Sequence, residues 1–250
     1  MIALFGALRE EVSDLRRRMG LEEVLPHPTC RVYKGEYLGR GLLLVQTGVG
    51  RQRAETATRL VLDRYAVTTL ISTGFAGALA AELRVGDVVV CSTLHCAPGR
   101  GPGPTMPRPY HADEDLHRLA TQALEGTTIT FYTGSGVTVP QLIGTPEKRR
   151  DLARAIQAQI VDMESYWIAK IASDRKIPFV AARAISDTTR DTLPALDEML
   201  APDGGGQRRA AIAYLLRHPQ SLAALAGLSW NVRVARRNLT TFADGLVAKL

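Results

Sequence analysis

The sequence predicts one α/β domain with a mixed, mostly parallel central sheet and a helical C-terminal extension. Short apolar runs of strand length alternate with segments of helical period from the N-terminus to about residue 190. The 250 residues are 46% hydrophobic and 22% charged, which is ordinary globular composition with enough apolar surface for a large core. Beyond the glycine run at 204–206 the pattern becomes basic and amphipathic. We therefore predict a main domain over residues 1–206 and an extension over 207–250 that packs on the same domain.

The first half of the chain is predicted to contain five strands and two helices. In the first helix, Val12, Leu15 and Met19 recur at helical spacing, and the second helix repeats this period with small apolar residues. The predicted strands are 1–5, 32–37, 41–46, 67–72 and 87–93, and the predicted helices are 10–19 and 51–65.

The second half continues the alternation after a loop rich in proline and glycine at 95–110. A loop of this length either covers a pocket or makes a surface excursion, and both interpretations remain open. Thr145 followed by Pro146 is a strong helix start. The predicted helices are 116–124, 146–158, 166–172, 193–200, 208–217 and 221–250, and the predicted strands are 129–132, 159–161 and 179–182.

The charge of the chain is concentrated at its C-terminal end. Residues 1–206 carry 24 basic and 24 acidic side chains, so the formal charge of +6 belongs to the extension. No apolar run approaches the roughly 18 residues of a membrane span, and Met1–Phe5 resembles a strand more than a signal peptide. Cys30, Cys91 and Cys96 have no metal-ligand spacing. These features predict a cytoplasmic protein without a metal.

Two predicted strands end in acidic residues. Met163-Glu164 follows the strand at 159–161, and Ser186-Asp187 follows the strand that begins at Phe179. The carboxyl ends of strands in α/β sheets form the edge at which ligands bind. Carboxylates there are costly to bury unless they are paired or used. Helix capping by either acid is the alternative interpretation.

Five motifs, in order, resemble the nucleoside phosphorylase and nucleosidase superfamily. In chain order they are Gly6 to Val12, Thr47 to Gly50, Ser72 to Gly77, Val85 to Val90, and Met163-Glu164 with Arg183-x-x-Ser186-Asp187. The segment from Gly6 is similar to the opening of the methylthioadenosine/S-adenosylhomocysteine nucleosidases. The resemblance covers roughly residues 1–190 and implies a three-layer α/β/α domain. It also implies a homodimer or higher oligomer, and no cofactor.

The resemblance implies two catalytic carboxylates. Asp187 would assist departure of a purine, with Ser186 positioning it, and Glu11 would activate water on the opposite face of the sugar. Glu10 is the fallback for Glu11, because a one-residue slip in the turn would exchange them. The alternatives are a capping role for Asp187 and an exposed helix start for Glu11.

Further residues are implied to bind the substrate. Met163 would pack on the sugar and Glu164 would accept hydrogen bonds from ribose hydroxyls, with core packing and a helix first-turn acid as alternatives. Arg183 would neutralise charge near the water or phosphate site, unless it forms a structural ion pair. Val137 would cover the purine face by apolar contact.

The turns predicted at Gly48-Val49-Gly50-Arg51 and at Gly74-Phe75 would present backbone N–H groups to an anion or sugar oxygen. An ordinary strand-to-helix turn is the alternative. Phe75 stands where many relatives have a small polar residue, and its ring would crowd a phosphate. Hydrolysis is therefore favoured over phosphorolysis.

The C-terminal third is similar to hopanoid-associated phosphorylase-like proteins, which implies a nucleoside carrying a large polycyclic lipid such as adenosylhopane. Apolar residues and arginines of the extension would then meet a membrane surface. Packing against the domain or a second subunit is the alternative, and nucleic-acid binding lacks the necessary interleaved aromatics. The apolar residues are Leu215, Leu216, Leu222, Leu225, Leu228 and Trp230, and the arginines are Arg208, Arg209, Arg233, Arg236 and Arg237.

The sequence thus predicts an N-ribosyl hydrolase that releases a purine, with adenine favoured, from a 5′-substituted ribonucleoside. Two alternatives remain. One is a phosphate-dependent nucleoside phosphorylase that uses the same site. The other is a non-catalytic protein that binds nucleosides or a membrane.

Overall fold

The computed structural model describes residues 1–98, 106–193 and 221–250, apart from the side chains of Pro26 and 221–229. The helix predicted over 208–217, the glycine run at 204–206, most of the helix predicted over 193–200 and the tip of the 95–110 loop lie outside the described residues. In these ranges the chain forms ten strands and six helices, and the predicted α/β class is confirmed.

The strands follow the predicted alternation, with two additional strands, β2 and β7. The strands are β1 Ile2–Gly6, β2 Glu22–Pro26, β3 Arg31–Tyr37, β4 Arg40–Gln46, β5 Thr69–Ala78, β6 Val88–Cys96, β7 Tyr110–His111, β8 Phe131–Thr138, β9 Ile160–Asp162 and β10 Phe179–Asp187. The helices are α1 Arg9–Arg18, α2 Arg51–Arg64, α3 Glu114–Gln122, α4 Pro146–Ile156, α5 Ser165–Asp174 and α6 Ser221–Lys249.

Strand β5 organises the sheet because it is long enough to have two different neighbours along one edge. Its first residues, Thr69 to Ser72, pair with β1, and Gly77 and Ala78 pair with β9. Its other edge pairs with β10 along most of its length. Strands β5, β10, β6, β8 and β9 therefore close into a ring, and β1, β4, β3 and β2 continue outward from it.

The sheet is mixed, as predicted, but its parallel share is smaller than the sequence indicated. Among the described strands, the pairs β1–β4, β1–β5, β5–β10, β6–β8 and β8–β9 are parallel. The pairs β2–β3, β3–β4, β5–β9, β6–β7 and β6–β10 are antiparallel. Alternation along the chain gives no indication of the contacts that close the ring, and two of those are antiparallel.

One segment predicted to be a turn is strand, and one predicted strand extends beyond its predicted end. Gly74-Phe75 lies inside β5, so the turn predicted there is wrong. Strand β8 runs through Gly134-Ser135-Gly136, beyond the predicted end at Tyr132. A Cβ at residue 134 would lie 2.7 Å from the Gln159 side-chain oxygen, so the strand is glycine-rich because another side chain lies against its backbone.

Helices cover both faces of the sheet and give the three layers. Ala54, Ala57 and Val61 of α2 join one apolar cluster with residues of α5. The opposite cluster contains Leu15 of α1 together with residues of α3 and α6. Among the described side chains of α6, which begin at residue 230, the buried ones are Ala235, Leu239, Thr240, Phe242, Ala243, Leu246 and Val247. Among the described residues, no helix is both long and apolar enough to cross a membrane.

Candidate active site

A cavity of about 210 Å³ lies at the carboxyl ends of β1, β5, β9 and β10. Glu11, Glu164 and Asp187 all line it, so the three carboxylates singled out in the sequence converge on one space. Most of the remaining lining is apolar. It includes Ala7, Leu8, Val49, Phe75, Val139, Leu142, Ile143, Val161, Met163, Leu193 and Val232.

Glu11 is held at the cavity by backbone donors. Its Oε2 accepts from the N–H groups of Ala7 (2.5 Å) and Leu8 (2.9 Å), and its Oε1 accepts from Phe75 N–H at 2.8 Å. Burial raises the pKa of this carboxyl above its ordinary value, although the backbone donors and the Arg183 charge act in the opposite direction. Glu10 is exposed and lies outside the cavity lining, so the structure places Glu11 in the cavity.

Glu164 precedes α5, but its side chain does not cap that helix. Its Oε1 accepts from Gly50 N–H at 2.7 Å instead, across the turn that begins at Gly48. Burial, reinforced by the negative charges of Asp162 and Glu11, raises the pKa of Glu164 to about 8. Met163 is half-buried beside it and faces the same cavity.

Arg183 forms a buried structural ion pair, the alternative that the sequence left open. Its Nε donates to Asp162 Oδ2 at 2.9 Å, and its Nη2 donates to Ser72 Oγ at 2.7 Å. Arg183 is not among the residues that line the 210 Å³ cavity, although its charge acts on the pKa values of both Glu11 and Glu164. Arg183 therefore partly offsets the rise in pKa of Glu11 and Glu164 without lining the cavity.

Asp187 ends β10 with both carboxylate oxygens engaged. Ser186 Oγ donates to Oδ1 at 2.6 Å, and the Nη2 of Arg149 donates to Oδ2 within a buried ion pair. Residues 188–193, which follow Asp187 in the described part of the chain, form no helix that it could cap. The Asp187 carboxylate is an acceptor for two donors and still lines the cavity.

Gly74 and Val137 have different positions from those predicted. Gly74 lies in a strand, and a Cβ there would come within 2.9 Å of Glu11 Oε1, so this glycine makes room for the carboxylate. Val137 is fully buried in an apolar cluster and is not among the cavity-lining residues. Val139, which directly follows the last residue of β8, lines the cavity instead.

Sequence reasoning missed two charged residues of the site. Asp162 pairs with Arg183, accepts from Thr138 Oγ1 at 2.6 Å, and caps α5 by accepting from Ser165 N–H at 3.1 Å. Arg149 is fully buried and pairs with Asp187. Asp162 directly precedes Met163-Glu164, a position that could have indicated it, whereas Arg149 resembles any charged residue of an amphipathic helix.

A family model of the phosphorylase superfamily matches residues 1–213. The chain belongs to this superfamily. A methylthioadenosine/S-adenosylhomocysteine nucleosidase of Tolumonas auensis is 31% identical over 226 residues, covering 86% of this chain and 98% of that relative. A second one, from Staphylococcus saprophyticus, is 33% identical over 196 residues, covering 75% and 86%.

Solved structures of the superfamily share the fold. The nucleosidase of Neisseria meningitidis bound to methylthio-immucillin-A has a TM-score of 0.79 at 22% identity, covering 100% of this chain and 99% of that one. Futalosine hydrolase of Helicobacter pylori has a TM-score of 0.77 at 18% identity, covering 100% and 97%. The described residues of this phosphorylase-superfamily member therefore share the fold of these two solved structures.

Proposed function

We propose that this protein is an N-ribosyl hydrolase that releases adenine from a 5′-substituted adenosine. The observation that carries the proposal is the convergence of Glu11, Glu164 and Asp187 on one cavity. The nucleosidase names of the relatives that align along most of the chain support the same activity.

The three carboxylates match the needs of N-glycoside hydrolysis. The sugar carbon becomes oxocarbenium-like in the transition state, and the purine leaves more easily when it carries a proton. Glu11 accepts a proton from the attacking water, whose hydroxyl bonds to the anomeric carbon. A carboxyl of raised pKa is well suited to this step near neutral pH. The bond from the anomeric carbon to the base nitrogen breaks, and the base takes up a proton from solvent on its ring nitrogen, where Asp187 accepts a hydrogen bond from the N–H group. Glu11 returns the proton it gained to solvent, so the products are the free base and the free sugar.

The ribose lies between Glu11 and Asp187. Glu164 is fixed at Oε1 by Gly50 N–H, so Oε2 is available for ribose hydroxyls. Met163 provides an apolar surface for the sugar. The wider lining by Leu8, Val49 and Val232 supports an apolar 5′ substituent. This lining and the resemblance of the C-terminal third together support a large lipid group, as in adenosylhopane.

Hydrolysis is favoured over phosphorolysis by the charges around the cavity. A phosphate nucleophile needs donors that are not already engaged. Phe75 N–H donates to Glu11, and the Arg183 guanidinium donates to Asp162 and Ser72. Arg149 is paired with Asp187. A phosphate dianion in the cavity would therefore be repelled by the carboxylates there. The neighbouring cations, Arg149 and Arg183, already have partners.

The test is an adenine-release assay with and without phosphate, using methylthioadenosine and adenosines with bulky apolar 5′ groups. Release without phosphate is expected, with kcat/KM lowered by about 100-fold or more in Glu11→Gln and Asp187→Asn. Absolute phosphate dependence would indicate a phosphorylase. Nucleoside binding without turnover, unaffected by either variant, would indicate a binding protein.

We also propose a peripheral contact with anionic membranes through α6. Trp230 is 65% exposed, and Arg233 and Arg237 are exposed at helical spacing from it on one face. Val232 of the same helix lines the cavity, so a membrane-bound orientation would bring the lipid surface near the substrate site.

A further inference from the structure

Arg149 is a buried cation in the wall of the proposed active site. Its Nε donates to Ile143 O at 3.1 Å, and its Nη1 donates to Thr188 O at 2.9 Å. These backbone acceptors hold the guanidinium plane from two segments. The remaining nitrogen, Nη2, donates to Asp187 Oδ2. The direction of Arg149 is therefore fixed by the backbone as well as by the carboxylate.

We propose that Arg149 is a positioning residue for the reaction, acting through Asp187. The inference rests on the proposed function, in which Asp187 binds the departing purine. Arg149 holds one carboxylate oxygen, and Ser186 Oγ holds the other at 2.6 Å. Donors on both oxygens fix the plane of the carboxylate, and each oxygen keeps a lone pair for an N–H of the base.

Gly77 of β5 has no side chain, which leaves room for the ion pair of Arg149 and Asp187. A Cβ at Gly77 would lie 2.8 Å from Asp187 Oδ2 and 3.1 Å from Arg149 Nη1. The pairing of β10 with β5 shifts register between Ile185 and Asp187, and this irregularity places Asp187 opposite Gly77. A glycine whose φ lies outside the left-handed region is not required by backbone conformation. It is required by the close approach of the two charged groups.

The burial of the pair makes each partner depend on the other. Arg149 is fully buried, and Asp187 is its ion-pair partner in the part of the chain that the structure describes. Removing one partner leaves an uncompensated charge, which is more damaging than removing both. The effect of Arg149 on catalysis should therefore require Asp187.

A double-mutant cycle tests this dependence. Arg149→Met, Asp187→Asn and the double variant are compared by kcat/KM for adenine release and by the Kd for adenine from calorimetry. Arg149→Met is expected to lower kcat/KM and adenine affinity by about tenfold or more in the native background. In the Asp187→Asn background the same change should have less than about a twofold effect on both.

The matched control is Arg150→Met, which changes the next residue of α4, a side chain that is 56% exposed. It should leave both quantities unchanged. A full-sized effect of Arg149→Met in the Asp187→Asn background would overturn the inference, because Arg149 would then act only through the Ile143 and Thr188 carbonyls. If Arg149→Met does not fold, Gly77→Ala displaces the pair without deleting a charge, and its cycle with Asp187→Asn decides the question.

The outcomes separate this inference from the proposed function. Adenine release by the native protein with an additive cycle would leave the function intact and overturn the role of Arg149. Adenine binding without release would overturn the hydrolase, and the cycle in Kd would still decide the role of Arg149. A native protein that neither binds nor releases adenine would overturn both.

Discussion

At the scale of single residues, Gly74 shows how the backbone of a strand can form part of the proposed active site. The Glu11 carboxylate lies directly against β5, with its Oε1 bonded to Phe75 N–H and 2.9 Å from the position of a Cβ on residue 74. Gly74→Ala should displace the carboxylate and lower kcat/KM by about 10- to 100-fold while the fold is kept. Steady-state kinetics and circular dichroism measure the two effects.

The control for Gly74→Ala is Gly41→Ala in β4, where a Cβ would meet only Met1 side-chain carbons at 3.6 Å or more. It should retain native kinetics. Unchanged activity in Gly74→Ala would mean that the position of Glu11 does not matter for turnover.

Glu164 predicts a pH dependence of stability. Its folded-state pKa of about 8 lies above the ordinary value of 4.5, so between these values the native state holds a proton that the unfolded chain has lost. The stabilisation is complete below about pH 4.5 and is lost as pH rises through 8. Glu164→Gln resembles the protonated form, so its free energy of unfolding relative to the native protein should increase from pH 5 to pH 8.

The expected increase is at least about 1.4 kcal/mol, the equivalent of one pKa unit. Chemical denaturation across this pH range measures it, and Glu114→Gln, at an exposed residue of α3, is the control. A Glu164→Gln difference that stays constant with pH would contradict the raised pKa.

Which site residues were predictable depended on where their partners lie in the chain. Glu11, Glu164 and Asp187 belong to short motifs that resemble those of the nucleosidases, so they could be predicted, and they line one cavity. The partner of Asp187 is Arg149, 38 residues away, and the partner of Arg183 is Asp162, 21 residues away. Sequence spacing carries no signal for such pairs, because folding alone brings them together.

At the scale of elements, α6 is a structural layer as well as a basic surface. Phe242 is completely buried in the cluster that also contains Leu15 of α1. Phe242→Ala should lower the free energy of unfolding by about 3–5 kcal/mol. Urea denaturation measures this change, and Arg237→Ala, at an exposed residue of the same helix, should change it little. Equal stability of the two variants would mean that α6 only rests on the surface.

The predictable elements were those with strong periodicity and clear termini. The predicted start of α4 after Thr145 is confirmed. It was predictable because a capping residue followed by proline is a signal contained in the local sequence. Strand β2 was missed since Glu22-Glu23 at its start resembles a polar loop. Gly74 of β5 indicated a turn locally, and the reason for this glycine is the close approach of Glu11. Gly134 of β8 accommodates Gln159 in the same way.

At the scale of the molecule, the surface of α6 predicts salt-sensitive binding to anionic vesicles. Arg233 and Arg237 should each contribute about 1 kcal/mol near such a surface. The double variant Arg233→Glu/Arg237→Glu should lose flotation with anionic liposomes and keep native thermal stability. Arg154→Glu/Arg150→Glu, on the exposed face of α4, is the matched charge control. Equal flotation of both double variants would exclude α6 as the contact surface.

The α/β class and the helix layers followed from the alternation of patterns along the chain, but the closed ring did not. Pairing of β9 with β5 and of β6 with β10 joins segments that are remote in sequence. Each strand pattern permits several neighbours, and the choice among them is made by the complete set of packed helices.

The position of β5 has a consequence for the order in which the molecule opens and closes. Its backbone pairs with β1, near the start of the chain, and with β10, roughly a hundred residues after β5. Closing such distant pairings slows folding, and opening them requires the whole sheet to separate. The amide protons of Leu70 to Thr73 should therefore exchange with deuterium only through global unfolding.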